Sequence, residues 1–181
     1  APSFIAPVTA LSLEVGPSTG EEPLMAYSGR TDALSRGGLG VSTGVFSREA
    51  LAHGCSYDTS VNMALMFRAE FGNRWRAFLL AGPQVAYGLG PFAGESAPGL
   101  AAGGGVRHRG KMAISAEALL MPAFGNGAPS TLRAEVRIAP AWMFAPFLSL
   151  NGGIGRDPSV YEYGGFFGAS VGLAFHLERG T

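Results

Sequence analysis

The sequence predicts an all-β protein: a closed antiparallel up-and-down transmembrane β-barrel of eight to ten strands. Three observations lead there. Apolar and polar residues alternate with period two along successive segments separated by turn-rich pieces, the pattern of strands whose two faces meet different surroundings. Charged side chains in those segments keep to one parity. Ordinary aqueous surface is also scarce: charged residues make up 14% of the 181, against roughly 25% in an average globular protein. Residues of the AVILMFWYC set reach 47%, and glycines number 28. No stretch approaches the roughly 18 uninterrupted apolar residues of a membrane-spanning helix.

Along the chain, Ile5 to Val15 alternates well, with Leu11, Leu13 and Val15 opposing Ser12 and Glu14, and Leu24 to Thr31 is the faintest strand. Gly37 to Phe46 follows. Ser60 to Phe71 is the clearest, with Val61, Met63, Leu65, Phe67, Ala69 and Phe71 on one face and Asn62, Ala64, Met66, Arg68 and Glu70 on the other. A tight turn at Gly72-Asn73 leads into a strand with Trp75, Leu79, Val85 and Tyr87 on its apolar face and Arg74, Arg76 and Gln84 opposite. Leu100 to His108 turns at Arg109-Gly110 and returns as Met112 to Leu120. Leu132 to Trp142 carries Arg133, Glu135 and Arg137 opposite Val136 and Ile138, then turns near Phe144 to Pro146 into a glycine-rich strand from Phe147 to Gly155. The last strand ends at Leu177 after beginning near Phe167. Short turns thus alternate with longer loops at 47–57, 89–98, 123–130 and 156–163, as in a meander with its short turns on one rim.

Counting from Gly37 gives eight strands, with residues 1–36 as a periplasmic or lumen-filling segment, 37–177 as the barrel and 178–181 as a tail. Adding Ile5 to Val15 and Leu24 to Thr31 gives ten. The larger number keeps the alternation of turns and loops and is the reading favoured here.

Glu14, Arg68, Glu70, Arg74, Arg76, Arg107, Glu117, Arg133, Glu135 and Arg137 all fall on the polar parity. A soluble lipocalin-like barrel holding an apolar ligand would turn them outward, and a membrane barrel would turn them into its lumen. Three considerations favour the membrane. The charged face is otherwise Gly and Ala with Phe78, Leu80, Leu119 and Met121 mixed in, a poor aqueous exterior. The strands exceed the roughly five or six residues usual in globular proteins and match the roughly 9 to 11 that cross a bilayer on a tilt. Aromatics gather at strand ends: Phe71 and Trp75 at one short turn, Trp142, Phe144 and Phe147 at another, and Tyr87, Tyr161 and Tyr163 near the opposite rim. Two interfacial girdles have this form.

With these strands, faces and girdles, the chain resembles the small outer-membrane barrels of Gram-negative bacteria, the class that includes the barrel domain of outer membrane protein A and the lipid A palmitoyltransferases. The resemblance covers Gly37 to Leu177 and is one of architecture. The run from Gly168 to Leu177 looks like the C-terminal strand signal of such proteins, with Glu178 to Thr181 following where the signal usually ends on an aromatic. It implies a bacterial outer-membrane location, with the lipid bilayer, lipopolysaccharide and envelope proteins as partners. A start at Ala1 without methionine is what a processed secretory precursor would show. Thirteen Lys plus Arg balance thirteen Asp plus Glu, so no basic excess points to nucleic acid.

Charges in a narrow lumen must be paired or solvated. Two readings follow: an ion-paired plug, and a hydrated, mildly anion-selective path suggested by six arginines against four glutamates. The expected function is a structural anchor or scaffold within an envelope complex, with a narrow channel as the second hypothesis and a lipid-modifying enzyme as the third. His53, His108 and His176 are far apart in sequence, and Asp32, Asp58 and Asp157 all read as in or next to loops. No catalytic residue is therefore expected. No metal or cofactor is expected either, since His53-Gly-Cys55 supplies only two ligands. Cys55, the one cysteine, lacks an intrachain disulfide partner and is a candidate intermolecular thiol.

Overall fold

Each alternating segment finds an antiparallel neighbour. The computed structural model describes residues 8–18, 24–35, 37–50, 59–89, 96–125, 130–156 and 163–177. They form β1 (Val8–Ser18), β2 (Leu24–Leu34), β3 (Leu39–Ala50), β4 (Thr59–Gly72), β5 (Trp75–Leu89), β6 (Ala97–Arg109), β7 (Met112–Met121), β8 (Thr131–Pro140), β9 (Phe144–Arg156) and β10 (Tyr163–Leu177). Every strand pairs with its neighbours in sequence, and β1 also pairs with β10, placing Thr9 opposite Leu177 and Val15 opposite Val171, so the sheet closes. Closure leaves no ladder edge unpaired. Because β1 and β2 belong to the wall, the barrel has ten strands, and neither segment is a lumen filler.

Two boundaries differ from the sequence expectation in ways that matter for the interior. β3 continues to Ala50, with Arg48 opposite both Ala26 and Ser60, where a loop was expected from 47. The bend before β9 falls at residues 141–143, so β9 already begins at Phe144. Together with the bends at 35–38, 73–74 and 110–111, it lies on the rim where β1 begins and β10 ends. The strand ends joined by 19–23, 51–58, 90–96, 122–130 and 157–162 lie at the opposite rim. Gly38, in one short turn, and Gly72, the last residue of β4 before another, take φ of 81° and 106°, a region that costs other L-residues about 1–2 kcal/mol.

Period two then sorts the side chains. Leu13, Leu65, Phe67, Leu79, Leu120, Val136, Leu150, Phe167 and Val171 are all exposed on the outside. A soluble monomer rarely shows a contiguous apolar patch beyond a few hundred Å², whereas here apolar side chains face out on strand after strand. The core is the lumen. One buried cluster joins Ala64, Met66, Phe78, Leu80, Ala101, Leu119 and Met121, and a second, near the short-turn rim, joins Ala139, Ala145, Phe147 and Ala174.

Candidate functional site

The lumen is built on a local rule that pairs glycine, phenylalanine and arginine. Phe78, Phe147 and Phe166 face inward, and each lies directly opposite a glycine on the next strand: Gly105, Gly172 and Gly153. A methyl group on these glycines would press on the respective ring and, closer still, on a backbone carbonyl of the strand on the other side, that of Ala116, Leu13 and Leu132 in turn. Glycine is therefore what lets each ring lie flat against the wall. A guanidinium then stacks on every ring: Arg68 on Phe78 at 4.1 Å, Arg137 on Phe147 at 4.0 Å and Arg48 on Phe166 at 4.4 Å. Arg133 does the same over Phe46 at 4.8 Å. Stacking of this kind lets a cation sit against apolar surface.

Register arranges the charges in alternating rows across the sheet. Nearest the short-turn rim, Arg76, Arg107, Ser115 and Arg137 are successive partners on β5 to β8. One row deeper come Glu70, Phe78, Gly105, Glu117 and Glu135, and deeper again Arg68, Leu80, Gly103, Leu119 and Arg133. Glu117 directly opposite Glu135 would be unfavourable alone. Cations from neighbouring rows offset it: Glu135 binds Arg133 at 2.9 Å and Arg137 at 2.8 Å, while Glu117 pairs with Arg30. Glu70, whose side chain is 1% exposed, takes Arg68 at 2.7 Å, Arg107 at 2.5 Å and Arg76 at 3.8 Å.

The pair from Arg30 to Glu117 matters most for the shape of the interior. β2 and β7 are five strands apart in either direction around the ring, so this ion pair spans the full width of the lumen. Asp32 binds Arg30 at 3.1 Å and Arg68 at 3.2 Å and accepts a hydrogen bond from the Ser42 hydroxyl. On the short-turn side of this crossing lies a cavity of about 140 Å³, lined among others by Arg30, Arg68, Arg107, Ser115 and Arg137. On the other side a cavity of about 30 Å³ lies among Arg48, Asn62, Thr131, Arg133 and Phe166, and the two share no lining residue. Beyond it Thr131 Oγ1 donates to Asn62 Oδ1 (3.3 Å), and Asn62 Nδ2 donates to Gln84 Oε1 (3.2 Å). Gln84 Nε2 in turn donates to the Pro122 carbonyl at 2.9 Å. Buried polar groups linked in this way brace β4, β5 and β8 and the residue that follows β7.

Of the charged residues singled out in the sequence, Arg68, Glu70, Arg107, Glu117, Arg133, Glu135 and Arg137 face the lumen, and Arg76 stands half-exposed at its short-turn mouth. Glu14 has the lumenal parity of Ser12 by register, and its side chain lies outside the described residues. Arg74 is a correction. The two-residue bend is Asn73 and Arg74, so Arg74 stands exposed at the rim, where its Nε donates to His108 Nε2 at 3.3 Å.

Among the aromatics, Phe71, Trp75, Trp142 and Phe144 are exposed at the short-turn rim, and Tyr87 and Tyr163 at the other. Tyr161 lies outside the described residues, as do His53 and Cys55. Phe147 is a second correction. It is 4% exposed and points inward, because a strand that starts at Phe144 gives Ala145 and Phe147 the same parity. Phe147→Trp is expected to cost about 1–3 kcal/mol by overpacking against Gly172, whereas Phe144→Trp stays within about 0.5 kcal/mol. Urea unfolding of both variants in lipid vesicles checks this.

Arg30, Asp32 and Arg48 belong to the lumenal set without having been singled out. Asp32 reads as next to a loop and Arg48 as inside one, but both lie on extended ladders. Among the described residues, no three His, Cys, Asp or Glu gather as a metal site.

Fold and lumen together define the class: a closed ten-stranded antiparallel barrel with a packed, ionic interior and an apolar exterior. The crystal structure of the N-terminal β-barrel domain of Pseudomonas aeruginosa OprF is similar, with 13% sequence identity over 93% of this chain and 97% of that chain and a TM-score of 0.37. No protein-family model matches the chain, and no curated protein matches it in sequence.

Proposed function

We propose that the protein spans a bacterial outer membrane as a plugged barrel and serves there as a non-catalytic anchor or scaffold within an envelope assembly. The apolar exterior supports the membrane, since lipid tolerates a backbone only when every peptide group is paired, as closure achieves. One observation carries the scaffold reading over a channel. The Arg30–Glu117 pair crosses the lumen from opposed strands, and the cavities of about 140 and 30 Å³ on its two sides have no lining residue in common among the described residues. An interior of this kind holds the wall rigid.

The test uses protein extracted in mild detergent from the membranes that make it. Reconstituted in a planar bilayer, it should give no steady conductance, and the extract should contain a co-purifying envelope protein. Defined conductance steps would overturn the plug. A strictly monomeric species without companion would overturn the scaffold role.

A further inference from the structure

A net charge of zero hides a division of charge between the two ends of the barrel. The segments that join strands at the short-turn rim, 35–38, 73–74, 110–111 and 141–143, hold Arg36, Arg74 and Lys111 and no Asp or Glu. Those that join strands at the opposite rim, 19–23, 51–58, 90–96, 122–130 and 157–162, hold Glu21, Glu22, Asp58, Glu95, Asp157 and Glu162 and no Lys or Arg. Residues 1–7, before β1, bring no charged side chain, and 178–181, after β10, bring one of each sign, Glu178 and Arg179. At physiological salt a surface field reaches only about 8 Å, so each rim acts on what lies directly against it.

At the short-turn rim two of the cations flank one seam of the wall. Trp75 begins β5 and stands opposite His108, near the end of β6, with the two rings 4.7 Å apart. Arg74, in the bend just before Trp75, leans across this pair, and its Nε donates to His108 Nε2 at 3.3 Å. Lys111 lies in the next bend along the rim, the one that joins β6 to β7. The two bends are two strands apart, about 10 Å at the usual strand spacing, so one phosphate group lies within reach of both side chains. Both cations are exposed, and among the described residues neither has a carboxylate partner. Their depth fits as well. Phe71, Trp75, Met112, Trp142, Met143 and Phe144 are exposed at the same rim, as side chains at a membrane interface are. Arg and Lys beside such a belt lay their stems on apolar surface and carry the charge at headgroup level.

We propose that the β5–β6 seam at the short-turn rim is a binding site for an anionic phospholipid, with the headgroup phosphate between Arg74 and Lys111 and the acyl chains running down the wall past Trp75. The inference rests on the membrane reading above and not on the scaffold role. Each cation close to an anionic lipid surface adds to the attraction. A zwitterionic headgroup gains less, because it brings a cation of its own to bends that hold no acid to receive it. The acidic connections of the opposite rim repel the same anionic lipid.

The chain has two tryptophans, and Trp142→Phe leaves Trp75 as the reporter. With the whole protein in phosphatidylcholine vesicles, bromine-labelled phosphatidylglycerol and bromine-labelled phosphatidylcholine are compared at equal mole fraction as quenchers of its fluorescence. The anionic lipid is expected to occupy the seam about tenfold more strongly than the zwitterionic one. Arg74→Gln and Lys111→Gln should each lower that preference about fivefold, the share of one cation near an anionic headgroup, and the double variant should abolish it. Glu49→Gln, which changes the net charge by one at the opposite rim, should leave it unaltered. Heat-modifiable migration on a gel shows that each variant is folded. Equal quenching by the two lipids, a preference that survives in the folded double variant, or one that Glu49→Gln alters as much would overturn the site and leave the membrane reading standing. Absence of quenching by either lipid would overturn both.

Discussion

Val136→Arg is expected to lower the stability of the membrane-embedded barrel by about 2–4 kcal/mol, the cost of a cation on the lipid face near the bilayer midplane. Val136 is 52% exposed on the outer surface and lies midway along β8. Met112, also exposed but at the short-turn end of β7, should tolerate arginine for about 0–1 kcal/mol, because the penalty fades toward the interface. Arg137→Ala, one residue along from Val136, carries no lipid penalty at all, since Arg137 stacks on Phe147 inside the lumen. Urea unfolding in phospholipid vesicles measures all three. Equal costs for arginine at 136 and 112 would contradict the proposed membrane setting.

Glu70→Ala should be the most damaging single change in the interior, at about 3–5 kcal/mol, because removing one partner of a buried ion pair leaves the others uncompensated. Glu70 is 1% exposed and holds Arg68 and Arg107 at 2.7 and 2.5 Å, with Arg76 at 3.8 Å. Its loss strands Arg68 in particular, which is 4% exposed and then retains only Asp32 as a carboxylate partner among the ion pairs described above. Glu49→Ala, on a residue at the far end of β3 and not buried, should stay within about 0.5 kcal/mol. The same unfolding experiment separates the two, and a Glu70→Ala cost below about 1 kcal/mol would mean that the lumen is wet enough to solvate its arginines. These two variants probe opposite faces of the wall: one tests what surrounds the barrel and the other what fills it.

Much of this organisation is visible in the alternation itself. Because side chains on a strand alternate strictly, the parity of Arg133, Glu135 and Arg137 against Val136 and Ile138 assigns both faces of β8 without any knowledge of its neighbours. The same holds for β4 and β5. Parity is also fragile. Placing the bend one short stretch too late, at 144–146 instead of 141–143, transfers Phe147 from the lumen to the interface, and ending β3 at Phe46 leaves Arg48 in a loop. Arg74 fails for the same reason, since a residue within a turn has no strand face.

The amino-acid sequence by itself determines the period, the segregation of charge from apolar surface, and the alternation of short and long connections, because each depends only on neighbours along the chain. The tertiary structure alone decides that the wall has ten strands, through the pairing of β1 with β10, and that Arg30 meets Glu117 from the opposite side of the lumen. That contact joins residues 87 positions apart, and no local pattern encodes it. It exists because closing ten staggered strands brings two particular rows face to face across a space that only large side chains can bridge.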